Sequence, residues 1–123
     1  MSGGTPRGIE SFRTLAIAFV GEQDGVAEAA FKAKLVDRFR SDLHVNEAYL
    51  VRVRYNSDPA PKVALCIEAG DQVRSVIVEA VVAEFRNMFK TDEALDILFL
   101  STEQQASVAL VANPFYKQHP YHA

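Results

Sequence analysis

The sequence predicts an α+β fold, and three observations support that prediction. Between Val45 and Ala69, two runs of alternating apolar residues flank a segment with two prolines and three turn-forming residues, a pattern typical of a β-hairpin with a wide loop. Apolar residues at helical spacing precede and follow this hairpin. One further alternating segment lies before the first helix and another after the second, and each predicts a strand.

The amino-terminal half contains the first predicted strand and helix. The strand is indicated by apolar alternation around Leu15, Ile17 and Phe19, and it ends at Gly21. From Val26 the apolar residues recur every fourth position, which predicts an amphipathic helix with one stripe: Ala27, Phe31, Leu35, Phe39 and Leu43.

The carboxyl-terminal half contains the second long helix, a fourth strand and a short third helix. The second helix begins after Gly70 and carries an apolar stripe that includes Val73, Ile77, Val81, Phe85 and Met88. Alternation over residues 95–100 predicts the strand. Residues 102–105 match a capping box, a helix is expected over 106–111, and Asn113-Pro114 stops it.

This order of elements predicts a ferredoxin-like βαββαβ arrangement, that is, a four-stranded antiparallel sheet with strand order 4-1-3-2 and two helices on one face. A short carboxyl-terminal helix and tail follow. Residues 1–12 are expected to be a flexible tail, residues 13–116 a single domain, and residues 117–123 a second flexible tail. The odd-numbered residues of all four strands are expected to face the long helices.

The opposite sheet face is then expected to be open and half apolar. Its members are Thr14, Ala16, Ala18, Val20, Leu50, Arg52, Arg54, Ala64, Cys66, Glu68, Leu98 and Leu100. Such a face is too apolar to remain solvated, so it predicts cover by the carboxyl-terminal tail or by a second subunit. A homodimer, or another protein partner bound through this open face, is therefore expected. Residues 108–116 are expected to fold back onto it near Val20, Leu98 and Leu100.

Composition argues against several kinds of partner. The chain has 123 residues and a net charge of −3 without a basic run, which disfavours nucleic-acid and anionic-membrane partners. No apolar stretch approaches the roughly 20 residues of a membrane helix, and the amino terminus carries no export signal. The single cysteine, Cys66, is expected to be a reduced, inert thiol, which fits the cytoplasm.

Candidate chemical groups are few. Arg52 and Arg54 are suited to hold an anionic ligand, but a cross-strand ion pair with Glu68 is the favoured interpretation. His44, His119 and His122 lack convergent partners, so no metal is predicted. A nucleophile elbow and a phosphate loop are both absent, and Cys66 has no adjacent base. The sequence therefore predicts no enzyme and no cofactor.

Four segments resemble the carboxyl-terminal domain of the SseB family, the enhanced serine sensitivity proteins. They are NEAYLVRVRY (46–55), VALCIEA (63–69), ALDILFL (94–100) and PFY (114–116), within a resemblance over residues 14–116. The usual family layout has a preceding amino-terminal domain, which these 123 residues do not include. The family takes its name from a cellular phenotype, so the resemblance implies no catalytic residues here.

Three functions remain open at this point, and a minor hydrolase or transferase is the least favoured of them. The first is a non-enzymatic cytoplasmic interaction or regulatory module that self-associates. The second is a small-molecule sensor in which Arg52 or Arg54 holds the carboxylate of an amino acid or similar ligand. Phe115 and Tyr116 are expected to form a hydrophobic clasp for the chain end, with partner binding as the alternative.

Overall fold

The computed structural model describes residues 16–42, 44–56, 58–90 and 93–118, which form one five-stranded sheet and three α-helices. In chain order the elements are β1 (Ile17–Glu22), α1 (Val26–Asp42), β2 (Val45–Tyr55), β3 (Lys62–Ala69), α2 (Arg74–Met88), β4 (Asp96–Phe99), α3 (Thr102–Ala109) and β5 (Tyr116–Lys117). A single 3-10 turn over Asp71–Val73 leads into α2.

The predicted hairpin is confirmed. β2 and β3 pair antiparallel, with Val51 opposite Ala64 and Leu50 opposite Leu65. Asn56 opens the wide loop with a φ of 53°, in the left-handed region that asparagine tolerates better than most residues. Its side chain accepts a hydrogen bond from the backbone N–H of Ala16 at 2.8 Å, which ties the loop to the start of β1.

The predicted strand order is wrong. The sheet runs β1-β2-β3-β4, with β5 also pairing with β2, and β4 is parallel to β3 rather than antiparallel to β1. The sheet is therefore mixed. A strand–helix–strand unit such as β3-α2-β4 readily closes with its two strands as direct parallel neighbours. β1 instead pairs antiparallel with the far half of the long β2 strand and lies at an edge.

The predicted faces hold for β3 and β4 and fail for β1 and β2. Leu65 and Ile67 of β3 pack with α1 and α2, as expected for odd positions. In β2 it is the even positions Ala48 and Leu50 that pack there, because pairing reverses the parity and a register shift follows Val45. Residues 48–51 of β2 are apolar and buried on both faces, so alternation alone could not assign them.

Two apolar layers result, one on each face of the sheet. α1 and α2 cover the first face, and Phe31, Leu35, Phe39, Ile77 and Val81 lie at its centre. α3 covers the second face, where Val108 and Ala112 pack against Tyr49, Val51, Val53, Ala64, Cys66 and Leu100. The face that the sequence predicts to be open is thus covered by the same chain.

The carboxyl end folds back as predicted, but onto both faces. Val108 packs on the second face, whereas Phe115 and Tyr116 pack against the first layer. The backbone N–H of Phe115 donates to the carbonyl of Ala48 in β2 at 2.9 Å. Tyr116, the first residue of β5, then pairs with the same residue. Lys117, predicted to begin the tail, lies in β5 opposite Glu47.

The N-cap of α3 lies one residue earlier than predicted, and the helix begins at Thr102 rather than at Ala106. Ser101, not Thr102, is the N-cap, and its hydroxyl accepts from the N–H of Gln104 at 3.2 Å. The backbone N–H of Ser101 in turn donates to Gln104 Oε1 at 2.9 Å, which completes the capping box. Predictions that fall on residues 1–15, 43, 57, 91–92 and 119–123, His119 and His122 among them, lie outside the described residues.

Candidate interaction surface

Arg52 and Arg54 lie on the face of the sheet that carries α1 and α2. They follow Leu50 along β2 at alternate positions, and both are exposed. Across the strand pair, Arg52 is opposite Gly21 and Arg54 is opposite Ala18 of β1. Opposed residues of an antiparallel pair share a face, so each arginine has a small residue of β1 beside it.

The structure does not bring these arginines to Glu68. Glu68 lies on the α3 face of β3 and is opposite Glu47, whereas Arg52 is opposite Val63. The predicted ion pair is therefore wrong, because the parity of β2 places the two charges on different faces. Among the ion pairs of the described residues, none involves Arg52 or Arg54.

The Arg52 guanidinium lies over β1. A Cβ built at Gly21 would stand 3.2 Å from Arg52 Nη2, so the guanidinium occupies the space that a side chain at position 21 would fill. β1 ends the strand order and, in the part of the chain that the structure describes, pairs only with β2. The positive charge of Arg52 is thereby carried from the second strand toward the edge of the sheet.

Exposed apolar side chains lie in β1 and in the turn after α3. Leu110 is 86% exposed and Val111 38% exposed, and Val20 of β1 is 36% exposed. Glu22 Oε2 accepts a hydrogen bond from the backbone N–H of Asn113 at 2.7 Å, which fixes the turn after α3 beside β1. The expectation that Leu110 would be buried is wrong, since it points to solvent just beyond the last turn of α3.

Phe115 and Tyr116 form an aromatic group with Phe39 of α1. The Phe39 ring centroid lies 6.4 Å from that of Phe115 and 5.4 Å from that of Tyr116, the latter in an edge-to-face arrangement. Both carboxyl-terminal side chains are half-buried. These contacts support the clasp interpretation, in which the two rings hold the end of the domain.

A polar row across β3, β2 and β5 was not predicted. Glu68, Glu47 and Lys117 are opposed in register, and Lys117 Nζ lies 3.5 Å from Glu47 Oε2. The Tyr49 hydroxyl donates to Glu47 Oε1 at 3.1 Å. Burial, with the bond to Glu47 adding to it, raises the pKa of Tyr49 to about 12. The row depends on the register of β2 with both β3 and β5, which the sequence does not contain.

Cys66 is a buried thiol of the second layer. Burial raises its pKa to about 12, so it stays protonated and inert at neutral pH. Within the described ranges, no three His, Cys, Asp or Glu side chains converge as metal ligands would. None of the helices that the structure describes has both the length and the apolar composition needed to span a membrane.

Comparison with known families identifies the chain. Residues 26–118 match the family model described as the SseB protein C-terminal domain, and the chain therefore belongs to that family. The match confirms the resemblance that the sequence segments indicate. Searches of curated proteins and of solved structures found no match.

Proposed function

We propose that this SseB carboxyl-terminal domain is a non-enzymatic interaction or regulatory module that binds through the β1 edge of its sheet. One observation supports the proposal above the others: β1 pairs on one side only within the described residues, and the apolar Val20 side chain of β1 is exposed. An edge strand presents a row of N–H and C=O groups to any strand that approaches. Adding a strand to such an edge is a common way to bind a partner.

The remainder of the surface is less suited to this role. The second sheet face is covered by α3, with Ala64 and Cys66 fully buried, so a second subunit has no access to it. β5 is only two residues long and carries Lys117 at the same side of β2. β4 presents the charged Asp96, which accepts a hydrogen bond from the Tyr55 hydroxyl at 2.7 Å. β1 is the longest apolar edge of the three.

We place the module in the cytoplasm because its one cysteine is a buried thiol that contributes no cross-link. Self-association and binding of a different protein both remain within the proposal. They are distinguished by whether the chain alone changes its mass with concentration.

The test combines hydrogen exchange with two matched variants. A displayed library of random extended peptides is selected against the full chain, and bound peptides are expected to slow amide exchange in β1 but not in β4. Val111→Asp is expected to weaken binding at least tenfold, because it places a charge in the exposed turn after α3, which the Asn113–Glu22 hydrogen bond holds against β1. Val76→Asp, the same substitution at a 50% exposed site on α2, serves as the control.

Sedimentation of the unliganded chain over a hundredfold concentration range measures self-association in parallel. A monomer at all concentrations, together with selected peptides that leave β1 exchange unchanged, would refute the proposed module. Protection confined to β4 would refute the assignment to the β1 edge.

The sensor remains a second candidate because Arg52 and Arg54 are exposed and do not pair with Glu68. Two guanidinium groups on one face suit a carboxylate. Melting curves with each of the common amino acids at millimolar concentration test it. The sensor predicts a rise in Tm that Arg52→Gln abolishes, and an unchanged Tm with every amino acid would exclude that class of ligand.

A further inference from the structure

We infer that the β1 edge selects an extended protein segment that alternates acidic and apolar side chains. This inference rests on the proposed interaction module and specifies the chemistry of its partner. A strand added to β1 places successive side chains on opposite faces of the sheet. One face beside β1 presents arginines and the other presents apolar side chains. The two faces therefore contact alternate side chains of the partner.

The face that carries α1 and α2 presents two arginines beside β1. Arg54 is opposite Ala18, Arg52 is opposite Gly21, and both β1 residues are small enough to let a long side chain pass over them. The Arg52 guanidinium already lies over Gly21. Neighbouring strands are about 4.8 Å apart, so a strand added outside β1 brings its side chains within reach of a guanidinium held over β1. Carboxylates are the groups that such a fork pairs with best.

The α3 face is apolar beside β1. Ile17 and Phe19 point to this face, where they are half-buried against the second layer, and the exposed Leu110 and Val111 lie past the end of α3. Apolar side chains on the partner would lie directly beside Ile17 and Phe19 as cross-strand neighbours. Burial of the partner's apolar side chains supplies binding energy, while the acidic side chains of the partner supply selectivity.

A second copy of this chain fits the edge less well. If the β1 strands of two copies paired antiparallel about a two-fold axis, the arginines of both copies would lie on the same face of the joined sheet. Arg52 and Arg54 from each copy would then place four guanidinium groups beside the new strand pair. β1 itself offers no carboxylate on that face, since its residues there are Ala18 and Gly21. Like charges held together at a strand pair are destabilising, so an acidic segment of another protein is the favoured occupant.

The experiment uses three synthetic heptapeptides that differ only in charge. Valine occupies positions one, three, five and seven of each capped peptide, and the other positions are all Glu, all Gln or all Lys. Binding to the full chain is measured by fluorescence anisotropy at two salt concentrations, and β1 exchange locates the bound peptide. We expect the Glu peptide to bind at least tenfold more tightly than the Gln peptide, with the difference shrinking at high salt.

Charge reversal on the protein makes the test specific. In the Arg52→Glu, Arg54→Glu variant the preference should switch to the Lys peptide while the slowed exchange stays confined to β1, a result that loss of structure cannot produce. Arg54→Glu alone, at an exposed position, is the second variant if the double change unfolds the chain. Arg86→Glu, an exposed arginine of α2, is the control and should leave the order of the peptides unchanged.

The outcomes separate this inference from the proposed function. If the Gln or Lys peptide protects β1 as well as the Glu peptide does, the acidic preference is wrong and the interaction module stands. If no peptide protects β1 and free glutamate binds in an Arg52-dependent manner, the arginines serve a small carboxylate and the strand partner is wrong.

Discussion

Replacing Phe39 with alanine tests how the carboxyl end is held to the domain. Phe39 is 3% exposed and contacts both aromatic side chains of the carboxyl-terminal segment. Truncating a buried phenylalanine costs about 3–5 kcal/mol, the sum of lost apolar burial and the cavity left behind. A domain of this size has a total unfolding free energy of about 5–15 kcal/mol, so the loss would be a large part of it.

The edge-to-face contact with Tyr116 adds a separable contribution. Such aromatic pairs are worth about 0.5–1.5 kcal/mol beyond their burial. A double-mutant cycle with Phe39→Ala and Tyr116→Ala should therefore show a coupling energy of that order. If Phe39→Ala proves too unstable to measure, Phe39→Leu keeps the fold and still removes the aromatic pair.

Urea unfolding followed by circular dichroism gives the free energies, with Val76→Ala as the control at an exposed helical position. The control should change stability by no more than about 0.5 kcal/mol. A loss of similar size for Phe39→Ala would refute the packing described for α1. A coupling energy of zero with Tyr116 would refute the clasp.

Three further changes test the β5 pairing, the cap of α3 and the buried thiol. Ending the chain at Ala112 removes the β5 pairing and both clasp rings, so the urea midpoint should fall while sedimentation shows an unchanged oligomeric state; an unchanged midpoint would contradict the clasp. Ser101→Ala removes the N-cap of α3 and should cost about 1 kcal/mol, whereas Ser107→Ala, exposed within the same helix, should be nearly neutral; equal effects would contradict the cap. Burial raises the Cys66 pKa from 9.0 to about 12, so the unfolded chain releases this proton first. The stability linked to this thiol is therefore fully present below pH 9 and is lost as pH rises toward 12. Cys66→Ala should flatten the start of that decline, measured by urea titrations at several pH values.

The sequence predicts the elements well and their arrangement poorly, for reasons that particular residues show. Alternation in β2 and β3 is strong, and the turn residues between them leave no other pairing for the hairpin. For β1, alternation of Ile17 and Phe19 is the same whether the strand is central or at an edge. Strand order depends on contacts between residues far apart in sequence, which local periodicity does not contain.

The candidate surface shows the same division. Arg52, Arg54 and Glu68 are recognisable as charged residues in apolar strands, but their faces depend on the register of β2 with two neighbours. The sequence predicts that the even-numbered residues of β2 and β3 share one face, and this predicts an ion pair between the arginines and Glu68. In the structure the even-numbered residues of β2 lie on the α1 and α2 face, so the pair does not form. The sequence predicts Gly21 only as the end of a strand. In the structure, the absence of a side chain at Gly21 leaves the space that the Arg52 guanidinium occupies.

The bulge in β1 limits what the edge can bind. The register shifts between Phe19 and Gly21, so a regular ladder on the outer side of β1 is interrupted there. A bulge twists an edge strand and is one way in which proteins prevent unlimited edge-to-edge pairing. A partner strand can therefore form a regular ladder only along the first part of β1, beside Arg54, and must bend before it reaches Arg52. Such a short ladder gives few main-chain hydrogen bonds, which makes the interaction reversible and leaves Arg54, the arginine beside that ladder, as the main determinant of which segment binds.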